Sequence, residues 1–182
     1  KYVMDKLREM GYEPKEICDS GIVATIEGPK PGKTFLLRAD MDGLPMEETT
    51  SCDFAARNGA MHSCGHDMHT AMLLGAAKLL KQNQDEIEGT IKLVFQPDEE
   101  GFTGAKAMIE AGVLQNPKVD AAMAMHVNSG SPSNLVITSP TFRPAFAAPV
   151  SSYTLTTTIP CSILLSIDIS YLDKTIESVT FA

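Results

Sequence analysis

Thr90-Ile91-Lys92-Leu93-Val94-Phe95-Gln96-Pro97-Asp98-Glu99-Glu100-Gly101 is the stretch on which the fold turns. Its first half is rich in β-branched and apolar residues, the composition of a strand. Its second half is an acidic turn, opened by proline and closed by glycine. The pattern recurs on either side. Thr34–Ala39 reads as a strand running into Asp40 and Asp42, and Ala121–Val127 as an apolar strand bearing His126 near its end. Helical segments lie between them. Asp67 to about Lys81 carries apolar residues at Met68, Ala71, Met72, Leu74, Gly75 and Leu79, which predicts a largely buried helix. Ala105–Ala111 forms a second helix closed by Gly112. Upstream, residues 2–10 read as a helix stopped at Gly11. Ile22–Glu27 reads as a strand, followed by the turn Gly28-Pro29-Lys30-Pro31-Gly32, and residues 43–63 as loop. Strands alternating with helices predict an α/β fold with a mostly parallel sheet flanked by helices.

The chain has 182 residues, enough for one ordinary domain with an appendage at most. Its 15 Lys and Arg stand against 23 Asp and Glu, for a net charge of −8. That balance argues against a phosphate-backbone partner, so no nucleic acid is expected. No apolar run reaches the roughly 18 residues that cross a bilayer, and the opening lacks the apolar core of a signal peptide. Cys18, Cys52, Cys64 and Cys161 are too irregularly spaced for a secreted disulfide framework, and the expected location is cytoplasmic. The first residue is Lys1, so the natural N-terminus is expected to lie upstream. Composition changes late. All 13 glycines lie at or before Gly130, and residues 140–182 carry only five charged side chains. Two parts are therefore expected, 1–137 as the α/β part and 138–182 as a Ser/Thr-rich tail, within which Tyr153–Ile159 and Ile163–Tyr171 have strand-like composition.

Polar residues gather where the predicted strands end, and in open α/β sheets ligands bind outside those carboxyl ends. Asp40, the pair Glu99-Glu100 and His126 all arrive there. A denser group, Met61-His62-Ser63-Cys64-Gly65-His66-Asp67-Met68-His69, stands at the start of the longer helix. Cys64 and His66 are two residues apart and able to converge on one ion, and a helix N-terminus favours a thiolate at Cys64. Thiolate, imidazole and carboxylate together suit zinc or another first-row divalent ion. The adjacent glutamates point in different directions on an extended loop. One is placed to bind metal while the other acts as general base toward a water whose pKa the metal lowers. Asp40 or Asp67 is placed to orient a ligating histidine. His62 and His69 stand between that supporting role and simple packing. Cys18 and Cys52 have no partner motif. The methionines, Met68, Met72, Met108, Met123 and Met125 among them, sit at core-like positions.

Leu37-Arg38-Ala39-Asp40-Met41-Asp42-Gly43-Leu44-Pro45, the stretch from Gly59 to Thr70, Phe95-Gln96-Pro97-Asp98-Glu99-Glu100-Gly101 with Gly104–Met108, and Ala124-Met125-His126-Val127 occur in this order. Together they resemble the M20 family of metallopeptidases, in the branch of amidohydrolases that cleave N-acyl amino acids, hippurate and auxin–amino acid conjugates. The resemblance implies a zinc-peptidase-like catalytic domain, here incomplete, with a two-metal site holding zinc or manganese. It implies Cys64, His66, Glu100 and His126 as metal ligands, Glu99 as the catalytic general base, and Asp40 beside the metals. Many relatives carry a histidine two residues before that aspartate; Arg38 stands there in this chain, as in the amidohydrolase branch. The implied substrates are N-acyl amino acids or short peptides, hydrolysed to a free amino acid and a carboxylic acid. An incomplete sheet leaves strand edges open to pairing, so a second copy of the chain is a further expected partner.

The motifs stop near Leu135. The family continues into an inserted lid with a Gly-His-Gly-Ala-type segment, and no histidine comes after His126 here. A truncated or altered form is therefore expected. Two other classes fit parts of the pattern. A non-catalytic remnant would bind metal without turnover and act through interactions. A cysteine-nucleophile hydrolase would use Cys64 with His66 or His69, but would leave Glu99 and Glu100 without a role.

Overall fold

A computed structural model describes residues 1–127, together with the backbone of three short strands further on. The elements in order are α1 (Tyr2–Glu9), β1 (Lys15–Ile17), β2 (Gly21–Glu27), β3 (Lys30–Asp40), α2 (His66–Gln82), β4 (Glu88–Gln96), α3 (Gly104–Glu110) and β5 (Ala121–His126). After them come β6 (Val136–Ser139), β7 (Leu155–Thr157) and β8 (Leu164–Ser166). Residue 138, where the division is expected, falls within β6, while most of the two strand-like stretches beyond it lie outside the described residues. Among the described residues no helix is long and apolar enough to cross a membrane.

The sheet runs β1-β2-β4-β3-β5-β8-β6-β7. Its centre is parallel, with β3 between β4 and β5. β2 joins β4 antiparallel, and the three-residue β1, too short to show in the sequence pattern, pairs antiparallel with β2. The parallel register sets Asp40 opposite Gln96 and Arg38 opposite Ala124. The carboxyl ends of β3, β4 and β5 are thereby level, and the chain leaves all three strands at one edge of the sheet.

Residues alternate between two faces of this sheet. Leu37, Ala39, Leu93 and Phe95 turn toward α1 and α2, forming a core with Val3, Leu7, Tyr12, Ile22, Ala24, Ile26, Leu73 and Ala77. Leu36 and Val94 turn the other way and pack with Met108, Val113 and Val119 around α3. β4 is buried without a break from Lys92 to Gln96, as a strand covered on both faces should be. Lys92 is the exception in chemistry though not in burial. It is 2% exposed, and its ammonium donates to the carbonyls of Val113, Gln115 and Pro117 at 2.9, 2.8 and 2.9 Å. The lysine thus satisfies the carbonyls of the turn after α3, and its burial pulls its pKa below the usual lysine value.

Two expectations are corrected. α2 is not buried all round: His66, His69, Leu73 and Ala77 form its inward stripe, while Ala71, Gly75 and Leu79 face solvent. The polar histidines, rather than the apolar residues, hold the innermost positions at its start. Met68 is likewise 55% exposed and no part of the core, whereas Met108 is buried.

Candidate metal centre

Gly65 starts the site. It caps α2 with φ +85, in the left-handed region that glycine enters without steric cost. A Cβ there would stand 2.5 Å from the Val127 side chain. The bend sends Cys64 and His66 to the same side, so they converge through this turn rather than along an extended segment.

His66 is fully buried and its two nitrogens have different surroundings. Nδ1 lies 2.9 Å from the Asp42 carbonyl oxygen, which only accepts, so Nδ1 carries the proton and donates. Nε2 therefore keeps its lone pair, and among the described residues it has no hydrogen-bond partner. Around it stand carboxylate oxygens of Asp40 at 3.8 Å, Glu99 at 3.8 Å and Glu100 at 3.9 Å. A buried acceptor facing three acceptors is costly unless a cation sits among them. The donor atoms of Cys64, His66 and Glu100 all lie within 4.8 Å of one another, a spacing able to hold a metal ion.

His126, the last residue of β5, stands beside this group. Its Nδ1 donates to the Val127 carbonyl at 2.6 Å, and its Nε2 lies 3.6 Å from Cys64 Sγ. His69 also sits close, its ring centroid 4.5 Å from that of His126. It is nevertheless committed elsewhere. Nε2 accepts from the Val127 N–H at 2.9 Å, and Nδ1 donates to Asp40 Oδ1 at 2.6 Å. Although Asp40, His66 and His69 form a second group with metal-ligand spacing, neither His69 nitrogen has a lone pair to spare. It is a strut between β3 and the residue after β5.

Asp40 is equally occupied. Its Oδ2 accepts from Arg38 Nη1 at 2.7 Å, and its carbonyl accepts from Thr70 Oγ1 at 3.0 Å. Burial pushes its carboxyl pKa up, but the His69 hydrogen bond and the Arg38 charge outweigh that and hold it at about 2. The expected orienting roles thus divide. Asp40 holds His69, and Asp42, which sequence reasoning noticed but gave no role, holds His66. Asp67 is exposed and takes no such part, and His62 is exposed as well.

The acidic turn supplies the remaining groups. Asp98 and Phe102 adopt φ +49 and +59 on either side of Glu99-Glu100-Gly101, and Asp98 accepts from Thr103 Oγ1 and from the Gly104 N–H. A Cβ at Gly104 would lie 1.6 Å from the Pro97 carbonyl oxygen, so only glycine lets this turn close. Burial raises the Glu99 pKa above the usual carboxylate value, Arg38 opposes this, and Asp40 and Glu100 add to it. The Cys64 thiol is pushed up to about 12 by burial, then by its hydrogen bond to Glu100 and the nearby carboxylates. The helix N-terminus does not by itself make a thiolate here; a cation would be needed. The same environment disfavours the cysteine-nucleophile alternative, which requires a lowered thiol pKa.

The family model for peptidase family M20/M25/M40 matches residues 36–178, past the point at which the motifs stop. Thermostable carboxypeptidase 2 of Saccharolobus solfataricus is 50% identical over 143 residues, covering 76% of this chain and 36% of that protein. N-acetyl-L-cysteine deacetylase of Bacillus subtilis is 45% identical over 127 residues, covering 69% and 30%. Among solved structures, the Bacillus subtilis YXEP protein, described as a dinuclear metal binding peptidase from the M20 family, superposes with a TM-score of 0.71. It is 38% identical and covers 77% of this chain and 39% of that one. The chain thus spans about a third of the length of the curated relatives it matches. On the family match and on these relatives, the chain belongs to peptidase family M20/M25/M40.

Proposed function

We propose that this chain carries the metal centre and general base of a metal-dependent amidohydrolase, acting on the amide bond of N-acyl amino acids or related small amides. The observation that carries the reading is the buried His66 Nε2, without a hydrogen-bond partner among the described residues, ringed by Asp40, Glu99 and Glu100 with the Cys64 thiol beside it. Cys64, His66, Glu100 and His126 would hold the ion; the donor set suits zinc or another first-row divalent ion, and the family resemblance adds manganese. Bound there, the ion would polarise the amide carbonyl and lower the pKa of water.

The chain's own residues do the rest. Asp42 fixes the His66 ring so that its lone pair points inward. His69 ties Asp40 to Val127 and so steadies the strand end that presents His126. Glu99 takes the proton of the attacking water and returns it to the amine nitrogen as the C–N bond breaks, releasing an amino acid and a carboxylic acid. Its raised pKa suits both halves of that transfer. The names of relatives, among them N-acetyl-L-cysteine deacetylase and indole-3-acetyl-aspartic acid hydrolase, support an N-acyl amino acid as substrate. A second reading is metal binding without turnover.

One experiment separates the two. N-acetyl and N-benzoyl amino acids are incubated with metal-loaded protein and with Glu99→Gln. The proposal expects release of free amino acid by the wild type and a loss of at least about 100-fold in the variant at equal metal content. No release by either protein at full metal occupancy would favour the non-catalytic reading.

A further inference from the structure

We propose that the centre holds a single metal ion and that the guanidinium of Arg38 takes the place of a second. The inference rests on the metal-binding reading above and departs from the two-metal site that the family resemblance implies. Among the described residues two groups have metal-ligand spacing, Cys64 with His66 and Glu100, and Asp40 with His66 and His69. Both draw on His66. Its Nδ1 donates to the Asp42 carbonyl, so Nε2 offers one lone pair, enough for one ion. Filling the first group therefore leaves the second with Asp40 and His69 alone.

Neither is available. His69 donates through Nδ1 to Asp40 Oδ1 at 2.6 Å and accepts through Nε2 from the Val127 N–H at 2.9 Å. Asp40 Oδ2 accepts from Arg38 Nη1 at 2.7 Å. A carboxylate oxygen can accept twice, so the hydrogen bond alone does not close the position; the charge does. An ion held about 2 Å from that oxygen would stand within about 5 Å of the guanidinium nitrogen. Asp40 is 1% exposed, and two cations so close repel strongly where burial keeps water away.

Arg38 is also fixed. Its guanidinium stays charged, and its Nε donates to Gln96 Oε1 at 2.9 Å. Gln96 is itself buried and stands opposite Asp40 in the parallel register of β3 and β4. The guanidinium thus closes across the ends of two central strands, with its charge held beside Asp40. Arg38 and Glu99 line one cavity beneath α3. The carboxylates of Asp40, Glu99 and Glu100 around His66 Nε2 are in this way met by one permanent cation of the chain and one exchangeable ion.

Manganese(II) tests the assignment, because its electron paramagnetic resonance separates an isolated ion from a pair. Two ions in one centre, about 3.5–4 Å apart, are exchange-coupled and lose the six-line spectrum of the single ion. The full chain, Arg38→Lys and Arg38→His are saturated with manganese(II) and dialysed, and their spectra and metal content are compared. The wild type should show the uncoupled spectrum of one bound ion per chain. Arg38→Lys, which keeps a cation there, should do the same. Arg38→His removes the fixed charge and offers an imidazole beside the freed Asp40 Oδ2, so metal content should double and the coupled spectrum appear. Circular dichroism shows whether each variant folds; if Arg38→His does not, the wild-type and Arg38→Lys spectra decide. A coupled pair in either of those proteins overturns the proposal, as does a folded Arg38→His that stays at one ion. The two readings fail separately. A coupled pair in the wild type with amide release intact overturns the single-ion assignment alone, whereas a chain that binds neither manganese nor zinc overturns both.

Discussion

His66 and Asp40 hold similar depths at the same strand edge, but they solve the problem of burial differently. Asp40 has every oxygen matched, by Arg38, His69 and Thr70, while His66 has Nδ1 matched and Nε2 left for a ligand. The Asp40 network has a measurable consequence in metal-free protein. Its pKa is held at about 2, below the ordinary value of 3.8. A carboxyl depressed on folding stabilises the native state above its unfolded pKa, and that contribution disappears as pH falls through the folded pKa. Wild type in chelator should therefore lose about 1.5 kcal/mol more unfolding free energy than Asp40→Asn between about pH 5 and about pH 2.5, measured by urea melts. Equal losses would show that the Asp40 charge is not what the network stabilises. At this scale the sequence was informative about residue type and silent about pairing. That Cys64, His66, the Glu99-Glu100 pair and His126 come to one edge of the sheet was legible from their positions at predicted strand and helix ends. Which aspartate holds which histidine was not, because Asp40, Asp42 and Asp67 are equally plausible until the chain turns are known.

Element boundaries were the most legible part of the fold. The two apolar runs Thr34–Ala39 and Thr90–Phe95 lie inside β3 and β4, and glycines at 11, 65 and 112 mark helix ends with positive φ. Burial of α2 was misread because apolar count stood in for facing: Met68 and Leu79 are exposed while two histidines go inward. The turn into α2 is where an element and the site depend on one residue. In Gly65→Ala the new Cβ meets the left-handed φ and the Val127 side chain at 2.5 Å. Val127 must then shift, and its N–H is the donor to His69 Nε2. The substitution should cost about 2 kcal/mol of stability and reduce metal uptake. An unchanged melting temperature with unchanged uptake would contradict the role given to this turn.

Taken whole, the molecule builds its site by register. Parallel pairing of β3 with β4 and β5 brings Asp40, the Glu99-Glu100 turn and His126 to one edge, and the turn into α2 delivers Cys64 and His66 from the side. The alternation of strands and helices was enough to foresee that edge, since ligand sites gather at the carboxyl ends of such strands. The antiparallel β1 was missed because three residues carry no period. The central claim is that Cys64, His66, Glu100 and His126 form one metal centre, and bound metal tests it directly. Purified wild type and Cys64→Ala, each loaded with zinc or manganese and dialysed, are compared for metal content and affinity. The account predicts stoichiometric metal in the wild type and an affinity at least about tenfold weaker in Cys64→Ala; near-zero or indistinguishable occupancy in the two proteins would contradict it.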